Sequence, residues 1–316
     1  MTAREPGIVC IGAIARDRKY HLSGEVVLGT SNPATSSVDF GGIAHNVAVN
    51  LCRLEVPATL LTVIGDDPTG EEMLAYLRLH RVDISLVERS PSAPSANYVA
   101  VLAPDGMLVV GIADMRVFDE LDAARFARHA GHLADASWVF VDTNVTPGFL
   151  EACIAHRLEH DYRLAVNTAS GIKAKRLPVD LRGVDYLFCS DAEAIAYLDE
   201  RLASTPMRRA KALRERGAQC VVLTMGERGA IVADDRGTTT LPAVPAVVRD
   251  DTGAGDALIA GTLRGLIAGR ALRESVADGT LLAALTIESS STVAPDLSVG
   301  LLDHNRDRLV HAAPSV

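Results

Sequence analysis

The residues best placed to do chemistry in this chain are Asp251-Thr252-Gly253-Ala254-Gly255-Asp256, followed by an apolar helical run over residues 257–268. Three small residues in a row let backbone N–H groups converge at the start of a helix, where unpaired donors and the helix dipole favour an anion. Such a loop can cradle a phosphate. An aspartate in the first helical turn beside it can accept the proton of a hydroxyl as that hydroxyl attacks a phosphoryl group, so Asp256 is the candidate general base. A plainer reading is also open: a tight Gly-Ala-Gly loop with Asp256 serving only as a helix cap.

The scaffold that would hold this loop is legible in the hydrophobic pattern. Short runs rich in Val, Ile and Leu alternate with amphipathic helical segments, which predicts an α/β fold with a mostly parallel central sheet covered by helices on both faces. Expected strands are 8–11, 60–64, 138–141, 164–166, 186–189 and 220–223. Ligands of open α/β sheets bind beyond the carboxyl ends of the strands. Two segments break the rhythm. Residues 16–40 are polar and alternating, and 97–112 read as a hairpin whose arms, 97–103 and 107–112, flank a Pro104-Asp105-Gly106 turn. Together they predict a small β-lid over about 16–40 and 97–115 on a single domain spanning 1–316. An exposed face carrying Tyr98, Val99, Val101 and Val109 would cover a ligand or pair with a second copy; alternatively the hairpin merely extends the main sheet.

Composition narrows the partners. With 31 Lys plus Arg against 40 Asp plus Glu, the formal charge of -9 argues against a broad footprint for nucleic acid or an anionic membrane, so the expected ligand is small. No stretch approaches the ~20 apolar residues of a membrane span, and the N-terminus lacks a signal-peptide layout; the expectation is a soluble, cytoplasmic chain. The five scattered cysteines, Cys10, Cys52, Cys153, Cys189 and Cys220, fit buried thiols in a reducing compartment. His129 with His132, and His156 with His160, have helical spacing that metal sites use, but they lie among charged residues and read as solvated faces.

At this point the motifs resemble a known family. The hexapeptide 251–256 and a second segment, Phe40-Gly41-Gly42-Ile43-Ala44-His45-Asn46, resemble the two signatures of ribokinase-like carbohydrate and nucleoside kinases. The turn Thr224-Met225-Gly226-Glu227-Arg228-Gly229-Ala230 resembles that family's ATP-side turn, and Gly65-Asp66-Asp67 with Gly70 resembles the loop after its glycine-rich helix; the likeness covers about residues 7–300. It implies transfer of a phosphoryl group from ATP to an alcohol. Gly253, Ala254 and Gly255 would then form the anion hole beside Asp256. Asp17, Gly41, Gly42, Asn46 and Asp114 would hold the substrate, and Thr224, Gly226, Gly229, Thr252 and Ser190 the nucleotide. Glu193 would meet Mg2+, and a monovalent cation such as K+ would sit near Asp250.

Within the family, Asp17-Arg18-Lys19-Tyr20, the segments 29–34 and 46–51, the hairpin ending in Asp114-Met115, and 294–298 resemble pseudouridine kinases. That likeness implies phosphorylation of the 5′-hydroxyl of pseudouridine, and a homodimer joined through the lid is a further expectation. Departures are also visible. Ala15, His45 and Ala113 replace polar residues common in close relatives, Asn167-Thr168 replaces an Asp-Pro pair, and Ser190 replaces an asparagine. A pocket missing hydrogen-bond partners discriminates less well, so two alternatives stay open: a kinase for another nucleoside or ribose, and a non-catalytic nucleoside- or sugar-binding relative.

Overall fold

The structure, a computed structural model, describes residues 7–198 and 204–311. A nine-stranded sheet forms the centre. Its strands are β1 (Ile8–Ile11), β4 (Ala58–Gly65), β5 (Val87–Ser90), β8 (Trp138–Asp142), β9 (Arg163–Asn167), β10 (Tyr186–Ser190), β11 (Cys220–Thr224), β12 (Ala230–Asp234) and β13 (Gly237–Leu241). The order is β13-β12-β11-β10-β9-β8-β1-β4-β5. Only β12 and β13 run antiparallel to their neighbours. All six expected strands are present within a residue or two; β5, β12 and β13 were not anticipated.

Alternation along each strand builds two apolar layers. Ile8 and Cys10 of β1 face one layer, while Val9 and Ile11 face the other. The first layer receives α1 (Ile43–Arg53), α2 (Pro68–Leu79), α8 (Ala254–Ile267) and α9 (Leu272–Ile287). The second receives α3 (Ala123–Ala134), α4 (Pro147–Glu159), α6 (Asp191–Tyr197) and α7 (Pro206–Glu215). Strands covered on both faces are largely apolar, which is why β1 and residues 138–141 of β8 read as unbroken hydrophobic runs. Local chemistry sets the helix starts: Asp67 accepts from the Gly70 amide at 2.8 Å ahead of Pro68, and Asp122, Thr146 and Thr205 cap α3, α4 and α7 in the same manner. The short α5 (Gly171–Ala174), α10 (Val299–His304) and α11 (Asp307–His311) complete the α-helices of the described residues.

A second sheet stands apart from the first. It contains β2 (Ala15–Leu22), β3 (Ala34–Gly41), β6 (Asn97–Leu102) and β7 (Leu108–Asp114) in the order β3-β2-β6-β7. The hairpin therefore does not extend the main sheet. Because lateral neighbours share a face, the registers put Asp17, Tyr98 and Ala113 on one side and Arg16, Asn97 and Asp114 on the other.

Candidate active site

The carboxyl edge of the large sheet is polar, with β8, β9, β10 and β11 ending in Asp142, Asn167, Ser190 and Thr224. Two cavities open beside it and share Thr224, Gly255 and Leu258. The smaller, about 280 Å³, is lined by Asp256, Glu193, Ser190 and Asn167 among others. The larger, about 660 Å³, passes from Gly226 and Gly229 to Val244, Ala246, Ala283 and Ile287. An apolar chamber that ends at a helix N-terminus suits a flat heterocycle carrying phosphates.

Gly253 is the residue before α8 and has φ 84°, a left-handed conformation open to glycine. A Cβ there would also collide with the Thr292 carbonyl. The turn aims several amides outward. Those of Gly253, Gly255 and Asp256 have no hydrogen-bond partner among the described residues, whereas the Ala254 amide closes a long 3.4 Å bond to the Asp251 carbonyl. The free donors therefore differ by one from the trio expected from sequence: Asp256 supplies an amide, and Ala254 is already engaged. Thr252 lies on the outside of this turn, exposed, with its amide 2.9 Å from Asp250 Oδ1, and it lines neither cavity.

Asp256 sits in the first turn of α8, half-buried, where Asn46 Nδ2 donates to its Oδ2 at 2.7 Å. Burial pushes its carboxyl up to about 7; the Asn46 bond opposes that shift, and the Asp142 and Glu193 carboxylates add to it. A carboxyl titrating near neutrality in a cleft is suited to taking and releasing a proton. Asn46 lies inside α1, in the first turn after the cap residue Gly42. No side chain of α1 caps that helix. Asp142 does so from β8, completely buried, with Oδ2 accepting from the Ala44 amide at 3.0 Å and the Ala13 amide at 3.1 Å. Sequence reasoning missed Asp142; its one signal was a charged residue closing the apolar run 138–141.

Asp17 of β2 lies over Gly41 of β3, whose missing side chain leaves the room: a Cβ on Gly41 would strike the Asp17 carboxylate. Burial first, and then Asp39 directly across the strand pair, push Asp17 up to about 6, with Lys19 pulling the other way. Asp39 is a second carboxylate of this face that the sequence did not flag. Asp114 is a correction. It projects from the opposite face of the small sheet, in a cavity with Arg16, Arg18 and Tyr20, and is held by Arg116 at 2.8 Å. The pleat of β7 puts its neighbour Ala113 on the Asp17 side instead.

Glu193 and Ser190 form a reciprocal cap at the start of α6: the Glu193 amide donates to Ser190 Oγ at 3.2 Å, and the Ser190 amide to Glu193 Oε2 at 2.8 Å. Thr168 also donates to Oε2, at 2.5 Å. Oε1 carries no hydrogen bond among the described residues, and the carboxylate shares its cavity with Asp256. This donor set fits Mg2+, which needs one or two protein carboxylates and keeps the rest of its shell for water and phosphate oxygens. Among the described residues no cluster of three or more metal-ligating side chains occurs. The histidine pairs differ in their surroundings, and one departs from the expected solvated face: His129 is buried and pairs with Glu88 at 2.5 Å, while His156 stacks on His160 at 3.8 Å.

Comparison with known proteins defines the class. Residues 6–298 match the pfkB family of carbohydrate kinases. The chain is 27% identical over 293 residues to an uncharacterized sugar kinase, YeiI, of Escherichia coli, covering 92% of this chain and 80% of the relative. It is 25% identical over 297 residues to the pseudouridine kinase of the same organism, covering 92% and 94%. A solved carbohydrate kinase from Agrobacterium tumefaciens superposes with a TM-score of 0.85 at 27% identity, covering 98% of both chains. The chain belongs to the pfkB family: it has the ribokinase-like fold and is an ATP-dependent kinase of sugars or nucleosides.

Proposed function

We propose that this kinase phosphorylates the 5′-hydroxyl of pseudouridine, giving pseudouridine 5′-phosphate, with Asp256 as general base. The observation that carries the reading is the position of Asp256, which lines the smaller cavity next to amides that have no protein partner. Asp17 and Asn46 hold the ribose hydroxyls; a carboxylate and an amide can each bridge vicinal hydroxyls. The Asp256 carboxylate takes the proton of the 5′-hydroxyl as the hydroxyl oxygen attacks the γ-phosphorus of ATP; the bond from that phosphorus to the β,γ-bridging oxygen breaks, and ADP leaves. The Gly253, Gly255 and Asp256 amides receive the charge on the transferring group, and losing one such donor costs roughly 2.7–4 kcal/mol in comparable sites. Glu193 is the residue that would hold Mg2+, which would supply positive charge to offset that of the phosphate oxygens.

The small sheet acts as a lid on a single domain, and its outer face, where Val38, Val110 and Ile112 are exposed, joins a second copy. The five cysteines carry no disulfide, which suits a cytoplasmic enzyme. Substrate choice is supported by the stretches that resemble pseudouridine kinases. The sugar kinase relative matches at similar identity, so a different sugar or nucleoside acceptor is the second reading, favoured by Ala113 on the Asp17 side of the lid. The non-catalytic alternative rested on Ser190, whose hydroxyl here caps α6. A coupled ADP-release assay over pseudouridine, uridine, cytidine, adenosine and ribose tests the assignment. Turnover with pseudouridine well above the others is expected, and preference for another acceptor overturns it.

A further inference from the structure

A chain of two side-chain hydrogen bonds runs from α1 to the candidate base. Asn46 Nδ2 donates to Asp256 Oδ2 at 2.7 Å, and Asn46 Oδ1 lies 2.9 Å from Nδ1 of His45. The two ends of an asparagine amide are nearly the same shape, so packing alone does not fix which end faces the carboxylate; hydrogen-bond chemistry must. An ionised carboxylate accepts only, which requires Nδ2 to face Asp256. Oδ1 is then an acceptor, so His45 must carry its proton on Nδ1.

We propose that His45 is a positioning residue: its Nδ1–H holds the Asn46 amide in the one orientation that presents a donor to Asp256.

The surroundings of His45 support this. The ring is completely buried, 5.4 Å from Tyr76 between centroids, and Nε2 has no hydrogen-bond partner. A neutral ring protonated at Nδ1 leaves Nε2 an acceptor with no partner, so the bond to Asn46 is what fixes the tautomer. Burial pushes the imidazole down to about 4; the Asn46 bond acts the other way and His80 adds to the fall. It therefore stays neutral wherever Asp256 titrates. The groups that face His45 are Asn46, Tyr76 and His80. Those that face Asp256 are Asn46 from α1, Asp142 from β8 and Glu193 from α6. Among these, only the Asn46 amide favours the ionised base, and only while it is turned the right way.

The function of Asp256 as base comes from the reading above, but the orientation itself needs no turnover. Carboxyl NMR of the ligand-free protein, beside the pH profile of kcat/KM, separates the two. His45→Phe keeps a ring against Tyr76 and removes the donor, freeing the amide to turn its oxygen toward Asp256. Both midpoints should then rise by about one pH unit. His45→Asn places an N–H where Nδ1 was and should restore them. Nitrogen NMR of the unaltered protein reads the tautomer directly, independent of how the variants fold. An unshifted Asp256 midpoint in His45→Phe, or a proton on Nε2, overturns the proposal. A kcat/KM profile that does not follow the Asp256 midpoint, beside the Nδ1–H tautomer and the shifted midpoint, upholds the lock and sinks the reading of Asp256 as base.

Discussion

Lys19 on β2 places its ammonium 2.8 Å from the Asp250 carboxylate, tying the small sheet to the loop that enters α8. Burial disfavours charge on Asp250, but its bonds from Lys19 and Thr252 outweigh that and hold the carboxyl below its ordinary 3.8. The tether is thus intact above that value and loosens as pH falls through the lower folded one. The resemblance to ribokinase-like enzymes puts a monovalent cation near the same aspartate, where this chain has a cation of its own.

Replacing Lys19 with Met should therefore raise the acceptor KM two- to fivefold, in keeping with the roughly 0.2–1 kcal/mol of a partly exposed pair. Added K+ should recover part of the loss. Steady-state kinetics with and without KCl measures this, and an unchanged KM would show that the pair does not steady the lid.

The carboxyl of Asp256, raised to about 7, sets both a rate and a stability profile. As a base it works only when ionised, so kcat/KM should fall tenfold per pH unit below about pH 7. Its stabilising effect is present below 3.8 and is lost as pH rises through about 7, because the folded state holds the proton more tightly than the unfolded one. Asp256→Asn should therefore raise Tm at pH 8 by a few degrees, on the order of 1–2 kcal/mol after discounting for partial exposure, with little change at pH 4. Equal Tm shifts at the two pH values would contradict this.

Two neighbouring glycines should respond differently. Gly253→Ala forces a methyl onto the Thr292 carbonyl at a positive φ, so the loop must shift, and kcat should drop about 10²-fold with the loss of an aligned donor. A Cβ on Gly255 meets no atom within 4 Å. Gly255→Ala should keep Tm or raise it slightly, by helix propensity, while ATP affinity falls, because the methyl enters both cavities. Thermal melting and nucleotide titration distinguish the pair; ATP affinity unchanged in Gly255→Ala would contradict a phosphate role for the loop.

On the lid, Ile112 is 60% exposed. Ile112→Arg should leave monomer stability within about 0.5 kcal/mol yet convert a dimer to a monomer in sedimentation velocity. An unaltered protein that sediments as a monomer at high concentration removes the proposed pairing.

The sequence made the turn before α8 visible because a Gly-Ala-Gly-Asp turn is local: the phosphate role proposed for it lies in six consecutive residues. The buried strands were visible for the same reason, since doubly covered strands are largely apolar. What stayed hidden depends on register or distance. Asp114 fell on the wrong face because a one-residue choice of pleat decides it, and the hairpin has an irregularity between Val101 and Leu102. Asp39 is conspicuous only once β2 and β3 pair. Asp142 looks like a strand end until the fold brings Ala13 and Ala44 to it. The meeting of Asn46 with Asp256 spans 210 residues, a separation that no periodicity bridges. His45, read from sequence as a lost polar contact, proved to be buried behind Asn46.

The central claim is that Asp256 deprotonates the attacking hydroxyl. The most direct measurement is ADP formation from pseudouridine at pH 8 by the unaltered protein and by Asp256→Asn, with nucleoside binding followed by calorimetry. The account predicts a rate loss of about 10²- to 10⁴-fold with binding largely kept. A variant that turns over at the original rate would contradict it.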